Sequence, residues 1–356
     1  LEALNLGEKL GPSTELAQAY ANFSLVIATV PAEGLALRYL RRAEEVAAVL
    51  GDPWTVGYVL ARTAITWIGL ARWTEGQASL ERSIEIGQEL GDWRRLCTAQ
   101  TILTSCKYFH GDFEKAVEQA AEVLPLAESR NDVQQQAWGS ALMAEALFRL
   151  GRYAESRRTI ARCRDFLAQN PESATETLAL GMDALIDLAE GKDESAESSA
   201  RACLQLLRTT PPTAYYVIEG FGAPAEVFLR LRERVGGQAH GDRLRAEAKE
   251  GCRFIESYAR VFTYAQPRAK RLRGLWHWLE DKQAKAVSVW RESLALAESL
   301  DMPYAAAAAL LELGRHGNNQ SGELERAAEI FERLAATPDL ELARELMAAT
   351  KDPAEA

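Results

Sequence analysis

The sequence is short of positive charge, histidine and paired cysteine, and it has no long hydrophobic run. Lysine and arginine number 41 against 51 aspartates and glutamates, a formal net charge of −10. A general nucleic-acid binder needs a positive field to meet phosphates, so no nucleic-acid partner is expected. No segment reaches the roughly eighteen apolar residues of a membrane helix, and no basic-plus-apolar leader opens the chain. The expectation is a cytoplasmic protein without a membrane partner. The five cysteines, Cys97, Cys106, Cys163, Cys203 and Cys252, are odd in number and never spaced C-x-x-C. That speaks against a disulfide framework or a zinc site. The four histidines, His110, His240, His277 and His316, are far apart, and turn or surface roles suit them. Phosphate-cradling, dinucleotide, zincin and nucleophile-elbow motifs are all missing. No catalytic residue, cofactor or metal site is expected, and the chain reads as non-enzymatic.

What is present is a repeat. Gly111-Asp112-Phe113, Gly151-Arg152-Tyr153 and Gly191-Lys192-Asp193 lie forty residues apart, with Ala71-Arg72-Trp73 forty before the first. A second marker keeps the same period: Leu10-Gly11, Leu50-Gly51 and Leu90-Gly91, followed by Asp52, Asp92, Asp132 and Glu172. Leu-Gly reads as a helix end, because glycine takes the left-handed conformation without a steric cost. The acidic residue after it reads as the N-cap of the next helix. The Gly-x-aromatic marker then falls at the tight turn inside each helix pair, with Trp73, Phe113 or Tyr153 plugging the gap between the helices.

The first helix of each pair carries small residues spaced i, i+4, i+7: Ala17, Ala21, Ser24; Gly57, Ala61, Ala64; Cys97, Thr101, Thr104; Ala137, Ala141, Ala144; Thr177, Gly181, Ala184. One helical face is small, so a neighbouring helix can approach closely. The second helices have their own small row, Ala36, Gly76, Ala116, Ser156 and Ala196, with Leu40, Leu80 and Ile160 four residues on. The reading is all-α: a tetratricopeptide-like superhelix, a right-handed solenoid of about eight helix pairs with long helices, each touching only its neighbours. Residues 1–12 read as a remnant second helix of a truncated repeat, so that the natural protein continues toward the N-terminus. Residues 13–209 read as the regular repeats and 210–300 as longer, irregular pairs, with a flexible loop at Val235–Gly241. Residues 301–349 read as a terminal pair turning at His316–Gly322, and 350–356 as a frayed tail.

First helices line the concave face of a solenoid, so binding contacts are sought there. Gln18, Tyr58 and Trp138 form one row, and Asn22, Arg62 and Met182 another; the rows vary from repeat to repeat as a surface would. Tyr20, Trp67, Tyr108, Tyr215, Tyr216 and Phe221 fall on first helices too, and packing between repeats is the other reading for any of these aromatics. A basic cluster, Arg268, Lys270, Arg271 and Arg273, reads either as a docking patch for an acidic partner or as a solvated helix face.

The stretch Tyr258 to His316, the opening Glu15 to Pro31 and the closing Glu325 to Ala336 resemble the C-terminal helical region of large bacterial multidomain signalling proteins. There a class III adenylate/guanylate cyclase or Ser/Thr kinase domain precedes an AAA/STAND-type ATPase and then tetratricopeptide-like repeats. The resemblance implies a regulatory or sensor arm that binds a protein, a peptide, a small molecule or the attached ATPase and output domains. A freestanding peptide- or protein-binding adaptor is the alternative. No catalytic motif of those families is present to carry over.

Overall fold

Each Leu-Gly-Asp or equivalent junction ends one helix and caps the next. Asp52, Asp92 and Asp132 accept from the backbone N–H three residues on, at 2.9, 3.2 and 3.1 Å. Inside the pairs the turn residue has positive φ: Gly111 at 104° and Gly151 at 75°, with Ala71 at 59° in the same place one repeat earlier. In this computed structural model, residues 2–28, 32–235, 239–317 and 322–351 are described, and every regular element among them is helical. The order is α1 (Glu2–Leu10), α2 (Thr14–Ala28), α3 (Glu33–Leu50), α4 (Pro53–Gly69), α5 (Trp73–Leu90) and α6 (Trp93–His110). It continues with α7 (Phe113–Ser129), α8 (Val133–Arg149), α9 (Tyr153–Leu167), α10 (Ser173–Ala189), α11 (Asp193–Leu207) and α12 (Ile218–Val235). The chain closes with α13 (Ala239–Val261), a 3₁₀ turn at Thr263–Ala265, α14 (Gln266–Leu279), α15 (Gln283–Ser299), α16 (Pro303–Gly317), α17 (Glu323–Arg333) and α18 (Thr337–Lys351).

From α2 to α17 these form eight antiparallel pairs among the described residues. The small stripes do the packing. Ala17, Ala21 and Ser24, Ala61 and Ala64, and Ala137, Ala141 and Ala144 are all buried, as are Leu40, Leu80 and Ile160 facing them. One close approach joins α10 to α12. A Cβ added at Gly220 would lie 2.8 Å from the Thr177 backbone, and one at Gly181 would lie 2.8 Å from Gly220 Cα. All five cysteines are buried free thiols. No helix among the described residues is long and apolar enough to cross a membrane.

Three expectations need correction. Contacts are not limited to neighbours, because the later repeats return onto the earlier ones. Trp73 Nε1 donates to the Leu300 carbonyl at 2.7 Å, His110 meets Asp301 at 3.2 Å, and Arg149 donates to Tyr304 Oη at 2.7 Å. The superhelix is wound tightly enough for one turn to rest on the next. Second, α13 starts at Ala239, so the expected loop is helical over 239–241, and its residues 236–238 lie outside the described residues. Third, the stretch 301–349 holds α18 beyond the pair α16 and α17. Ala335, with φ 53°, ends α17, and Pro338 fits the first turn of α18, which runs through residues 350 and 351. Of the expected tail, 352–356 lie outside the described residues, as do 318–321 of the turn expected before α17.

Candidate functional site

The first helices α2, α4, α6, α8, α10, α12, α14 and α16 touch one another in series along the inner side of the superhelix. Their two ends have different surroundings. The carboxyl ends of α4, α6 and α8, with the turns after them, are covered by the returning repeats. Phe109 stacks on Tyr264 at 4.3 Å, and the ring of Phe113 meets Tyr304 at 5.3 Å. The amino ends of α4 and α6 stay open, and there the structure forms a hollow of about 210 Å³ bounded by Trp54, Tyr58, Arg62, Arg94, Arg95 and Thr98.

Four of the six groove residues expected from the sequence lie on this open strip. Asn22 is exposed, and Gln18, Tyr58 and Arg62 are partly so. Asn22 Nδ2 donates to Tyr58 Oη at 3.0 Å, and the Arg62 guanidinium lies over the Tyr58 ring at 5.5 Å. The same spacing that set Tyr58 beside Arg62 on α4 thus also brings α2 to them. Met182, by contrast, is 0% exposed: its turn of α10 lies under α12, and it belongs to the core. Trp138 is half-buried, donates from Nε1 to Glu172 at 2.7 Å and meets Tyr216 at 5.7 Å. Glu172 has given up side-chain capping of α10 to accept from Trp138, Thr175 and Tyr216, a hub that packs repeats together. Tyr20, Tyr108 and Phe221 are likewise buried, and Tyr215 and Tyr216 sit in the connection before α12 instead of on a helix.

The basic cluster is not a surface patch. Lys270 pairs with Glu292 at 2.7 Å and Arg273 with Glu256 at 2.5 Å, on outer surfaces. Arg268 and Arg271 turn inward and are buried. Arg268 meets Glu219 at 2.7 Å and Glu226 at 2.9 Å; Arg271 meets Glu226 at 2.8 Å and Glu312 at 3.4 Å. Arg230 also pairs with Glu312. Arg149 completes the network, donating to Tyr108, Tyr304 and Glu219. Burial pushes the Glu219 carboxyl up, but Arg149 and Arg268 outweigh it and hold it down at about 2. Glu226 and Glu312 lie below the usual carboxylate range for the same reason. Glu145 is the exception. Burial, with Glu219 nearby, pushes it well above its usual value, and neither of its oxygens has a hydrogen-bond partner. Arg149, Glu226, Arg230, Arg271 and Glu312 of this network line a cavity of about 470 Å³ bounded at one side by Pro338, Asp339 and Leu342 of α18. His316, read as a turn residue, packs against the rings of both Trp278 and Trp290, at 4.5 and 5.1 Å.

Trp54, Arg94 and Arg95 were missed by the sequence reading, although a signal existed. Thr55, Arg95, Gln135 and Thr175 stand forty residues apart, and in these four repeats the column is polar yet buried. Arg95 is its odd member. Its guanidinium lies over Trp54 at 4.7 Å and reaches Asp92 at 3.4 Å, while its Nε has no partner. Burial lowers its pKa against the pull of Asp92. The inward-facing charges of the chamber had no comparable periodic signal. Among the described residues, no three His, Cys, Asp or Glu side chains converge as metal ligands would.

No family model and no curated sequence matches the chain. Among solved structures it is similar to a Rap protein complexed with competence and sporulation factor, at TM-score 0.66 and 12% identity over 94% of this chain and 87% of that one. It is also similar to a thermophilic TPR protein of Thermus thermophilus, at TM-score 0.39 and 21% identity over 60% and 98%. The human IFIT1 dimer with m7Gppp-AAAA is a third, at TM-score 0.43 and 12% identity over 95% and 82%. The likeness to the Rap protein spans nearly all of both chains, and the chain has the fold of an all-α, tetratricopeptide-like superhelix.

Proposed function

We propose that the chain is a non-catalytic binding arm that holds a peptide segment of a partner on the open strip of its inner face. One observation carries this reading: the returning repeats cover the carboxyl ends of the first helices, but Trp54, Tyr58 and Arg62 remain accessible around a hollow at the amino ends of α4 and α6. A half-exposed aromatic stack with convergent polar groups is the composition of a binding hot spot. The Rap protein of similar fold was solved with a bound factor, which supports a partner-binding role here. The resemblance to bacterial signalling proteins extends the proposal: the arm belongs to a larger ATPase-coupled protein and reports ligand occupancy to it. The return contacts between α4–α8 and α14–α18 supply a physical link, since a ligand that fits one winding of the superhelix better than another shifts the balance between them. A freestanding adaptor would use the same strip without that report.

The test is a peptide-display selection against immobilised chain, counter-screened with the double variant Trp54→Ala, Tyr58→Ala. Enriched peptides should lose affinity by about ten-fold or more in the variant, with its thermal midpoint close to the parent's. Peptides that bind both proteins equally, or no enrichment at all, would refute the assignment.

A further inference from the structure

The hollow between α4 and α6 has a charge that the rest of the interior does not. In the interior network Arg149, Arg230, Arg268 and Arg271 each face a glutamate at ion-pair distance, although the buried Nε of Arg268, like that of Arg95, lacks a hydrogen-bond acceptor. At the hollow the match fails. Arg62 and Arg94 rest on the rings of Tyr58 and Trp93 and have no carboxylate partner among the described residues. Arg95 shares Asp92 with the cap of α6, where Asp92 already accepts from the Arg95 backbone at 3.2 Å. Its side chain is 5% exposed, and its Nε, buried beside the hollow, has no acceptor. Three arginines thus line the hollow with one committed carboxylate, Asp92, in a protein whose net charge is −10. A buried donor without an acceptor is costly, and arginine is the residue whose planar fork best receives a carboxylate.

The aromatic part is equally defined. Trp54 is 41% exposed and stacks on Tyr58 at 5.9 Å with ring planes 12° apart. The Arg95 side chain crosses the place where a Cβ of Gly57 would stand, 3.0 Å from its Cδ, so the glycine lets arginine lie flat against α4. A space of about 210 Å³ is below the roughly 300 Å³ at which small-molecule pockets begin. It suits one side chain and its neighbouring carboxylate better than a free metabolite.

We infer that the hollow formed by Trp54, Tyr58, Arg62, Arg94 and Arg95 recognises an acidic residue next to an aromatic one in a partner's peptide segment. The inference rests on the binding-arm reading and adds the chemistry of the occupant. The aromatic ring enters against the Trp54–Tyr58 stack, and the carboxylate takes the free donors of Arg62 and Arg94, with the Arg95 charge behind them. Occupation gives a carboxylate partner to arginines that lack one, which makes recognition selective against neutral analogues.

The experiment titrates the chain by calorimetry with two amidated, acetylated peptides, Gly-Ser-Asp-Phe-Asp-Gly and its isostere Gly-Ser-Asn-Phe-Asn-Gly. The acidic peptide should bind about ten-fold or more tightly than the neutral one, the factor that a single charge-assisted hydrogen bond carries. Its affinity should fall as salt rises. The double variant Arg62→Ala, Arg94→Ala should remove the preference while keeping the parent's thermal midpoint, since Arg94 is exposed and Arg62 partly so; Arg95 is left intact because its stem is packed. Equal affinity for the two peptides, both lost in Trp54→Ala, would overturn the anion assignment and leave the binding-arm reading standing. No binding of either peptide at millimolar concentration would remove the anion assignment, and the display selection then judges the strip separately.

Discussion

Glu145 lies on α8, 0% exposed, beside Glu219, Arg149 and Arg268, with neither oxygen hydrogen-bonded. Its folded pKa is raised by burial above the ordinary 4.5. A raised carboxyl opposes folding wherever the unfolded chain ionises and the folded one stays neutral. The opposition is absent below the ordinary value and grows as pH rises above it. For one such proton the opposition grows by at most about 1.4 kcal/mol for each pH unit above the ordinary carboxylate value. Glu145→Gln removes the ionisation and keeps the shape; the amide is buried as the neutral acid was. The variant should therefore gain stability over the parent as pH rises above the ordinary carboxylate value, by at most about 1.4 kcal/mol per pH unit, and the gain should shrink toward zero below that value. Urea midpoints of both proteins at pH 4, 5, 6 and 7 give the profile. A variant destabilised at pH 7, or a difference that does not change with pH, would show that Glu145 is ionised and held by the two arginines.

Gly220→Ala would press a methyl group against the Thr177 backbone at 2.8 Å and force α10 from α12; a loss of about 1–3 kcal/mol in urea unfolding is expected, and an unchanged midpoint would contradict the packing. Trp73→Phe keeps an aromatic ring but deletes the indole N–H and its hydrogen bond to the Leu300 carbonyl, at a cost of about 1 kcal/mol or more because the buried side chain is also smaller. Amide exchange should quicken around 301–304 and around 70–73 together; a change at one place alone would mean that the two are not coupled.

The regular part of the fold was written in the sequence because each marker does one local task. Gly111 and Gly151 take a positive φ, Asp52, Asp92 and Asp132 cap the next helix, and Ala137, Ala141 and Ala144 make room for a neighbour. Such requirements recur with the repeat. What failed were inferences from repeat equivalence to exposure. Met182 holds the position of Arg62, but α10 is covered by α12 and α4 is partly open at that place. Arg268 and Arg271 looked like a surface cluster beside Lys270 and Arg273, because a run of cations does not reveal that glutamates forty or more residues away point at half of them. The return of α14–α18 onto α4–α8 is a long-range fit with no periodic trace, and the hollow with Trp54 and Arg95 became visible only once it was known which end of the groove that return leaves uncovered.

The contact of Trp73 with Leu300 joins positions 227 residues apart, and that separation bears on how the chain acquires its structure. A stack of repeats with nearest-neighbour contacts can grow from any point, and its stability is roughly a sum over units. Here the last units must find the early ones across a large closed loop, whose entropy is lost before the contact repays it. On a ribosome the helices of α4 to α8 would emerge and pair long before α16 exists to cover their ends. Phe109, Phe113 and Arg149 would spend that interval exposed to water or to other chains. Assembly is thus expected in two stages, fast pairing of helices followed by slow closure, and the cooperativity of the finished protein resides in the second.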